Sequence, residues 1–178
     1  MDSLIQIGDK KFKPYITHNE IKNIVSRLAK QLSDDLRDKN PLFLAVLNGS
    51  FIFTADLTRE LDFDAEISFI KISSYSGTHT TNNVKQLIGI NEDIENRIIV
   101  ILEDIIDTGI SIESLLQQLM TYNPKDIYIC TLLFKPGKFV KKYPIHYIGK
   151  EIDNDFIVGY GMDYNGKGRK YKQIYTVC

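Results

Sequence analysis

The stretch VILEDIIDTGIS, residues 100–111, joins an aliphatic run to three carboxylates, Glu103, Asp104 and Asp107, and then to a glycine. The aliphatic run predicts a strand that is covered on both faces, and the acids are expected in a loop that follows it. The residues from Ser111 onward have helical spacing. The stretch therefore predicts a strand, an acidic loop and a helix in succession.

Strand-like and helical segments alternate on both sides of this stretch. Thr17 and Glu20 predict a capping box at the start of the first helix. Predicted strands cover residues 41–47, 65–72, 97–102 and 126–133, and predicted helices cover residues 18–38, 51–61 and 111–122. This alternation predicts an α/β fold, with a parallel twisted sheet flanked by helices on both faces.

The chain is expected to form a single domain, residues 1–178, because no linker, repeat or low-complexity segment divides it. The N-terminal segment and residues from roughly 135 to 178 are expected to form a small hood subdomain. Residues 73–85 are rich in Ser, Thr, Asn and Gly and contain few apolar residues. This composition predicts a long loop.

Charge and composition limit the possible classes of function. Basic and acidic residues nearly balance, 22 against 23, so no overall charge favours nucleic acid or an anionic membrane. No apolar run is long enough to span a bilayer, and the first residues lack the pattern of a secretory signal. The two cysteines have no disulfide or zinc-site spacing, so a cytoplasmic location is expected.

The acidic loop and the helix after it are suited to bind a sugar phosphate. Backbone N–H groups at the helix start, with the hydroxyls of Thr108 and Ser111, form a potential anion site around Gly109. Carboxylates beside a phosphate are repulsive unless they accept from sugar hydroxyls or bind a magnesium ion. Glu103 and Asp104 suit the sugar hydroxyls.

A simpler alternative stays open from these residues alone. Asp107 or Thr108 could cap the helix, and the other acids would then be solvated. Two acids, two aliphatic residues, then Asp-Thr-Gly and a hydroxyl residue, all after a strand, form a more specific pattern than a cap. This pattern resembles the phosphoribosyl pyrophosphate (PRPP) signature of the type I phosphoribosyltransferases.

Other segments extend this resemblance in the same order along the chain, from about residue 12 onward. They are similar to segments of the hypoxanthine-guanine phosphoribosyltransferases and comprise LNGSFIFTADL (47–57), SSYSGT (73–78), LLFKPGK (132–138) and DFIVGYGMDYNGKGR (155–169). The resemblance implies the type I phosphoribosyltransferase fold. It also implies a purine-salvage transferase that joins hypoxanthine or guanine to PRPP, with Mg²⁺ as cofactor, and yields IMP or GMP and pyrophosphate.

The resemblance further implies a role for each candidate site residue. Asp107 would be catalytic, because it matches the residue placed near N7 of the base. The residues that would bind the ribose and 5′-phosphate of PRPP are Glu103, Asp104, Thr108, Gly109, Ile110 and Ser111. Those that would bind pyrophosphate are Asn48, Gly49 and Arg169, and the metal ligands would be Asp163, Glu103 and Asp104. The purine would be bound by Lys135, Phe156, Ile157 and Asp163, and a lid would open at Ser74 and Tyr75.

Two of these positions bear on specificity and affinity. Lys135 has only donors, so it would favour the 6-oxygen of hypoxanthine or guanine over the 6-amino group of adenine. Asn48 departs from the family pattern, which often has lysine there, so a charge that would assist pyrophosphate binding is absent. The peptide before this position is commonly cis in the family.

Two other functions compete with this interpretation. A regulatory protein that keeps the PRPP fold and binds RNA or a nucleotide effector would have a basic face and would lose base-site residues, whereas this chain keeps Lys135, Phe156 and Asp163. A sugar-phosphate-binding α/β protein of unrelated chemistry would not need the paired acids. The expected partners are a purine base and PRPP, with no nucleic acid and no membrane, and the resemblance implies a homodimer or homotetramer.

Overall fold

The structure, a computed structural model, describes residues 4–73 and 85–178. Its helices are α1 (His18–Leu36), α2 (Phe51–Glu60) and α3 (Ile110–Met120). Its strands are β1 (Ile5–Ile7), β2 (Lys10–Ile16), β3 (Leu42–Val46), β4 (Glu66–Ser73), β5 (Lys85–Ile88), β6 (Ile98–Ile106), β7 (Asp126–Phe134), β8 (Tyr147–Glu151), β9 (Ile157–Val158) and β10 (Ile174–Val177). The predicted lid residues Ser74 and Tyr75 lie outside the described residues.

Helix α1 begins at the predicted capping box, which is confirmed. The Thr17 hydroxyl accepts from the Glu20 backbone N–H at 3.2 Å, and the Glu20 carboxylate accepts from the Thr17 backbone N–H at 3.1 Å. Both bonds satisfy N–H groups that would otherwise lack a partner at a helix start. The helix ends at Leu36, two residues before the predicted end, because a 3₁₀ turn replaces its last residues.

Among the described residues, six strands form the large sheet, in the order β5-β4-β3-β6-β7-β8. Strands β4, β3, β6, β7 and β8 pair in parallel, and β5 joins the edge antiparallel to β4. Parallel strands in the middle of such a sheet need cover on both faces, which explains their continuous apolar sequences. The predicted α/β fold with a parallel sheet is confirmed.

Helices cover both faces of the large sheet, as predicted. Leu28 of α1, Phe53 of α2 and Val100 of β6 belong to the hydrophobic core on one face. Leu115 of α3 and Ile99 of β6 belong to the core on the other face. Within residues 4–73 and 85–178, none of these helices combines the length and the apolar character that crossing a lipid bilayer requires.

Glu103 and Asp104 lie inside strand β6, which corrects the prediction that they follow it in a loop. The strand pairs with β3 only as far as Leu102, but its pairing with β7 continues to Ile106. Hydrogen bonds to one neighbour therefore extend the strand past its aliphatic run. The prediction ended the strand too early because charged residues are seldom buried.

A second sheet joins the two ends of the chain, in the order β1-β2-β10-β9, with antiparallel pairing throughout. It has a small core of its own, which includes Phe12, Val158 and Tyr175. Strand β8 pairs with β7 in the large sheet. The C-terminal strands of the second sheet, β9 and β10, lie within residues 157–177.

Candidate active site

A cleft of about 410 Å³ lies where strands β3, β6 and β7 end. Ligands of open parallel sheets bind at such carboxyl ends. Most predicted site residues line it, namely Asn48, Gly49, Glu103, Asp104, Asp107, Ser111, Lys135, Phe156, Ile157, Asp163 and Arg169. Its wall also contains five apolar residues that were not predicted, Val46, Leu47, Ile72, Ile105 and Met162. Apolar residues at strand ends resemble core residues in sequence, so no signal separated them.

The loop after β3 contributes backbone groups to the cleft. Its Leu47–Asn48 peptide is cis. A Cβ atom on Gly49 would lie 1.9 Å from Asp104 Oδ2, and a Cβ atom on Gly161 would lie 2.1 Å from the Gly49 carbonyl oxygen. Gly49 is therefore held between an acid of the large sheet and a turn next to the second sheet, and only glycine permits this close approach.

The two adjacent acids of strand β6, Glu103 and Asp104, both line the cleft. They lie in the part of the strand that continues beyond its pairing with β3, which ends at Leu102, while the pairing with β7 goes on. One strand therefore supplies two acidic residues to one site.

These two acids form a buried pair, each 8% exposed. Burial, and the neighbouring Asp104, raise the pKa of Glu103 well above its ordinary value. Burial raises the pKa of Asp104 from 3.8 to about 6, although backbone hydrogen bonds act in the opposite direction. Ionised carboxylates in such surroundings gain from any hydroxyl that donates to them, because little water reaches them.

Helix α3 begins beside the acids with an open N-terminus. Its N-cap is Gly109, with φ of 82° and no side chain to cap the helix. The Thr108 hydroxyl accepts a long hydrogen bond, 3.4 Å, from the Ile110 N–H. Asp107 does not occupy the N-cap position, which disfavours the simpler interpretation of that residue. A helix start without a side-chain cap is suited to an anion.

Two lysines form ion pairs with the same oxygen of the Asp107 carboxylate. Lys135 Nζ lies 3.5 Å from Oδ2, and Lys138 Nζ lies 3.3 Å from the same atom. The second oxygen, Oδ1, is buried and has no hydrogen-bond partner within the part of the chain that the structure describes. A buried acceptor without a partner is unfavourable, so this oxygen is suited to accept from a ligand.

Lys138 was not predicted as a site residue. The sequence signal for it was its position three residues after Lys135, across a Pro-Gly pair that turns the chain back. Lys135 itself is only 5% exposed, which is unusual for lysine and excludes a surface role. Its backbone N–H donates to the Ile106 carbonyl at 3.0 Å, which fixes the end of β7 beside the end of β6.

Phe156 projects from the second sheet toward the cleft. It is 45% exposed, so it is not a core aromatic residue. Its ring makes an edge contact with Tyr164 at 5.7 Å between centroids and a tilted contact with Phe12 at 6.3 Å. These contacts orient an exposed aromatic surface that a planar ligand could cover. The adjacent Ile157 is buried.

Asp163 and Arg169 complete the cleft and pair with each other. Arg169 Nη2 lies 2.6 Å from Asp163 Oδ1, and Arg169 Nη1 donates to the Gly161 carbonyl at 2.7 Å. The second carboxylate oxygen of Asp163 accepts from the Gly166 N–H at 2.7 Å. Both side chains are therefore held in place by contacts within the chain.

Comparisons with known proteins agree with this geometry. The chain matches the family described as "Phosphoribosyl transferase domain" over residues 15–165. It is 40% identical, over 162 residues and 89% of each chain, to the hypoxanthine phosphoribosyltransferase of Escherichia coli strain K12. It is 39% identical, over 157 residues, to the hypoxanthine-guanine-xanthine phosphoribosyltransferase of Tritrichomonas foetus, covering 88% of this chain and 86% of that protein.

Solved structures give the same result. A crystal structure of a hypoxanthine phosphoribosyltransferase from Staphylococcus aureus has a TM-score of 0.88 and 34% identity, covering 93% of this chain and 91% of that one. A hypoxanthine-guanine phosphoribosyltransferase from Bacillus anthracis has a TM-score of 0.86 and 36% identity, covering 93% and 96%. With the fold, the cleft and the sequence in agreement, the chain belongs to the phosphoribosyltransferase family, and within it to the hypoxanthine-guanine phosphoribosyltransferases.

Proposed function

We propose that this protein transfers the phosphoribosyl group of PRPP to a 6-oxopurine base, hypoxanthine or guanine, and forms IMP or GMP and pyrophosphate. The observation that carries the proposal is the cleft itself. It combines a buried pair of acids, a buried lysine and an aspartate, Asp107, with one oxygen free to accept a proton. The membership of the chain in the hypoxanthine-guanine phosphoribosyltransferases supports the same activity.

The elements around the cleft suit the parts of PRPP. The ribose hydroxyls donate to Glu103 and Asp104, whose burial makes such donors valuable. The 5′-phosphate accepts from the open start of α3, at residues 108–111. Pyrophosphate accepts from Arg169 and from the backbone N–H groups of residues 48 and 49, which need no side-chain charge at position 48.

The purine lies between the end of β7 and the second sheet. Lys135 donates to the 6-oxygen of the base, Phe156 stacks on the ring, and the backbone of Ile157 with Asp163 meets the opposite edge. Adenine would direct a 6-amino donor at the lysine ammonium, which is also a donor. The site therefore discriminates against adenine.

The reaction exchanges one bond at the ribose for another. The bond from N9 of the base to C1′ forms while the bond from C1′ to the pyrophosphate oxygen breaks, and pyrophosphate leaves with the electron pair. Positive charge that develops on the ribose is stabilised by Glu103 and Asp104. The proton lost from the base passes to Asp107 Oδ1, while Lys138 still contacts Oδ2 after Lys135 turns to the base.

The acids of the cleft fit Mg²⁺ as a partner of PRPP. Mg²⁺ prefers oxygen ligands and commonly takes one or two carboxylates from the protein and the rest from phosphate and water. Among the described residues, no group of three or more His, Cys, Asp or Glu side chains could hold a metal ion without other ligands. The candidate ligands are Asp163, Glu103 and Asp104, and the ion would offset the charge of the leaving pyrophosphate.

A steady-state assay tests the proposed function. Purified protein is supplied with PRPP, Mg²⁺ and one of four bases, hypoxanthine, guanine, xanthine or adenine, and pyrophosphate release is measured. Turnover with hypoxanthine or guanine and none with adenine is expected. All four bases are needed because the names of the relatives differ in the bases they include. PRPP binding without turnover on any base would instead favour the regulatory alternative.

We also propose that the protein is a homodimer or homotetramer. Several large apolar side chains are exposed in the described surface, among them Phe51 at the start of α2 and Ile67 and Phe69 on β4. Contacts between copies would cover such side chains. Light scattering coupled to size-exclusion chromatography measures the mass directly, and a mass of one chain, 20.5 kDa, would contradict the proposal.

A further inference from the structure

Tyr143, in the connection between β7 and β8, contacts the start of helix α3 from outside the cleft. Its hydroxyl donates to the Gly109 carbonyl at 2.6 Å. A Cβ atom on Gly109 would lie 2.6 Å from the Tyr143 hydroxyl oxygen and 2.6 Å from Phe139 Cε2. Two aromatic side chains of this connection therefore pack directly against the glycine that begins the helix.

The ring of Tyr143 is fixed by its neighbours. It makes an edge contact with Phe139 at 5.3 Å between centroids, and Phe139 makes a similar contact with Phe134 of β7 at 5.2 Å. Lys141, two residues before the tyrosine, donates to Glu113 in the first turn of α3 at 2.6 Å. The connection is thus attached to the large sheet at one end and to the helix at the other.

The Tyr143 hydroxyl acts only as a proton donor to Gly109 at physiological pH. Burial, with smaller contributions from Glu113 and Glu103, raises the pKa of Tyr143 above its ordinary value. The hydroxyl therefore stays protonated. The Gly109 carbonyl accepts in addition from the Glu113 backbone N–H at 3.0 Å, so two donors fix its direction.

The direction of this carbonyl decides where the next N–H points. In a trans peptide, the carbonyl and the N–H of one peptide plane point in opposite directions. A Gly109 carbonyl that is fixed toward Tyr143 therefore turns the Ile110 N–H away from Tyr143, toward the start of the helix. Within residues 4–73 and 85–178, that N–H makes one long hydrogen bond, 3.4 Å, to Thr108 Oγ1, so it remains suited to an anion.

We infer that Tyr143 is a positioning residue for the 5′-phosphate of PRPP, because its hydroxyl orients the Gly109–Ile110 peptide at the start of α3. The inference rests on the proposed function for the identity of the ligand. Tyr143 lies outside the residues that line the cleft and acts through the backbone of Gly109. Loss of the Tyr143 hydroxyl should therefore weaken binding of the 5′-phosphate and leave binding of the purine unchanged.

The variant Tyr143→Phe removes the hydroxyl and keeps the ring. The loss of one buried hydrogen bond is expected to raise KM for PRPP by about three- to tenfold, with kcat and KM for the base nearly unchanged. The matched control is Tyr147→Phe, which removes a hydroxyl that bonds Asp35 of α1 at 3.0 Å and should leave all three constants unchanged. An unchanged KM for PRPP, or an equal rise in both KM values, would overturn the inference.

A binding measurement tests the inference without turnover. Calorimetry with IMP and with inosine isolates the phosphate, since the two ligands differ only there. Tyr143→Phe is expected to lower the affinity for IMP by the same factor and to leave the affinity for inosine unchanged. General loosening of the fold would lower both affinities.

If Tyr143→Phe folds poorly, a second variant, Phe139→Leu, removes the ring that packs against Tyr143. It should give the same loss of affinity for the phosphate alone. Wild-type protein that makes no nucleotide would count against the proposed function, while the IMP and inosine comparison still decides the role of Tyr143.

Discussion

Arg169 donates to Asp163 across 2.6 Å, so a residue proposed to bind pyrophosphate is paired with one proposed to bind Mg²⁺ and the base. The arginine keeps a second anchor, the Gly161 carbonyl, at 2.7 Å. A cation that takes Asp163 would free the arginine for an anion. Binding of the cation and of pyrophosphate is therefore expected to be coupled.

Asp163→Asn tests this coupling. The variant removes the carboxylate charge and keeps the size of the side chain. The Mg²⁺ concentration that gives half-maximal rate should rise, and KM for PRPP should rise by about tenfold, because a charge-assisted contact is lost. Titration of Mg²⁺ at fixed PRPP measures both effects. The exposed Asp153→Asn is the control, and an unchanged Mg²⁺ dependence of Asp163→Asn would contradict the prediction.

Asp107→Asn tests the proposed proton acceptor. The amide cannot take up the proton, so kcat should fall by about 100-fold or more, while KM for PRPP should change little. Steady-state kinetics measure kcat and KM for PRPP separately, first with hypoxanthine varied at fixed PRPP and then with PRPP varied at fixed hypoxanthine. Asp126→Asn, at the exposed start of β7, is the matched control. An unchanged kcat would remove Asp107 from the chemistry.

Lys135→Met tests base recognition, since methionine keeps an apolar chain of similar length and removes the donor. The ratio kcat/KM for hypoxanthine should fall by about tenfold or more, because a charged donor to the 6-oxygen is lost. PRPP affinity, measured by calorimetry, should be spared. The comparison variant is Lys138→Met, which removes the other cation on Asp107 and should lower kcat without a comparable loss of base affinity. Equal losses of base and PRPP binding in Lys135→Met would identify a purely structural lysine.

We expect the buried pair Glu103 and Asp104 to lower the stability of the fold when Asp104 is ionised. Because the pKa of Asp104 is raised from 3.8 to about 6 in the folded protein, the fold favours its protonated form. This contribution is fully present below pH 4 and is lost as the pH rises through about 6. Above that pH, the ionised buried carboxylate destabilises the fold relative to the unfolded chain.

Asp104→Asn should therefore raise the free energy of unfolding at pH 8, by up to about 3 kcal/mol, with a gain that shrinks toward pH 4. Thermal unfolding of both proteins between pH 4 and 8 measures the difference. The exposed Asp64→Asn is the control variant. A variant that is equally stable or less stable than the wild type at pH 8 would contradict the prediction. The affinity of Asp104→Asn for PRPP should be lower than that of the wild type.

Local sequence patterns predicted most of the elements, as α1 and β3 illustrate. The capping box at Thr17 and Glu20 begins the helix as predicted, because the bonds that form it join residues three positions apart. The predicted end of β6, at residue 102, was wrong because the strand depends on a distant partner. Its last residues are strand because β7, about thirty residues later, pairs with them, and no local pattern contains that partner.

The sequence by itself determined the alternation of strands and helices and the order of the motif residues, because periodicity and caps act over a few neighbouring positions. Only the tertiary structure decided that Glu103 and Asp104 are buried inside strand β6, that one Asp107 oxygen has no hydrogen-bond partner among the described residues, and that the Tyr143 hydroxyl donates to the carbonyl of Gly109. These features depend on burial and on contacts between residues that are distant along the chain. Packing of the whole fold creates them, so they have no signature in any single segment.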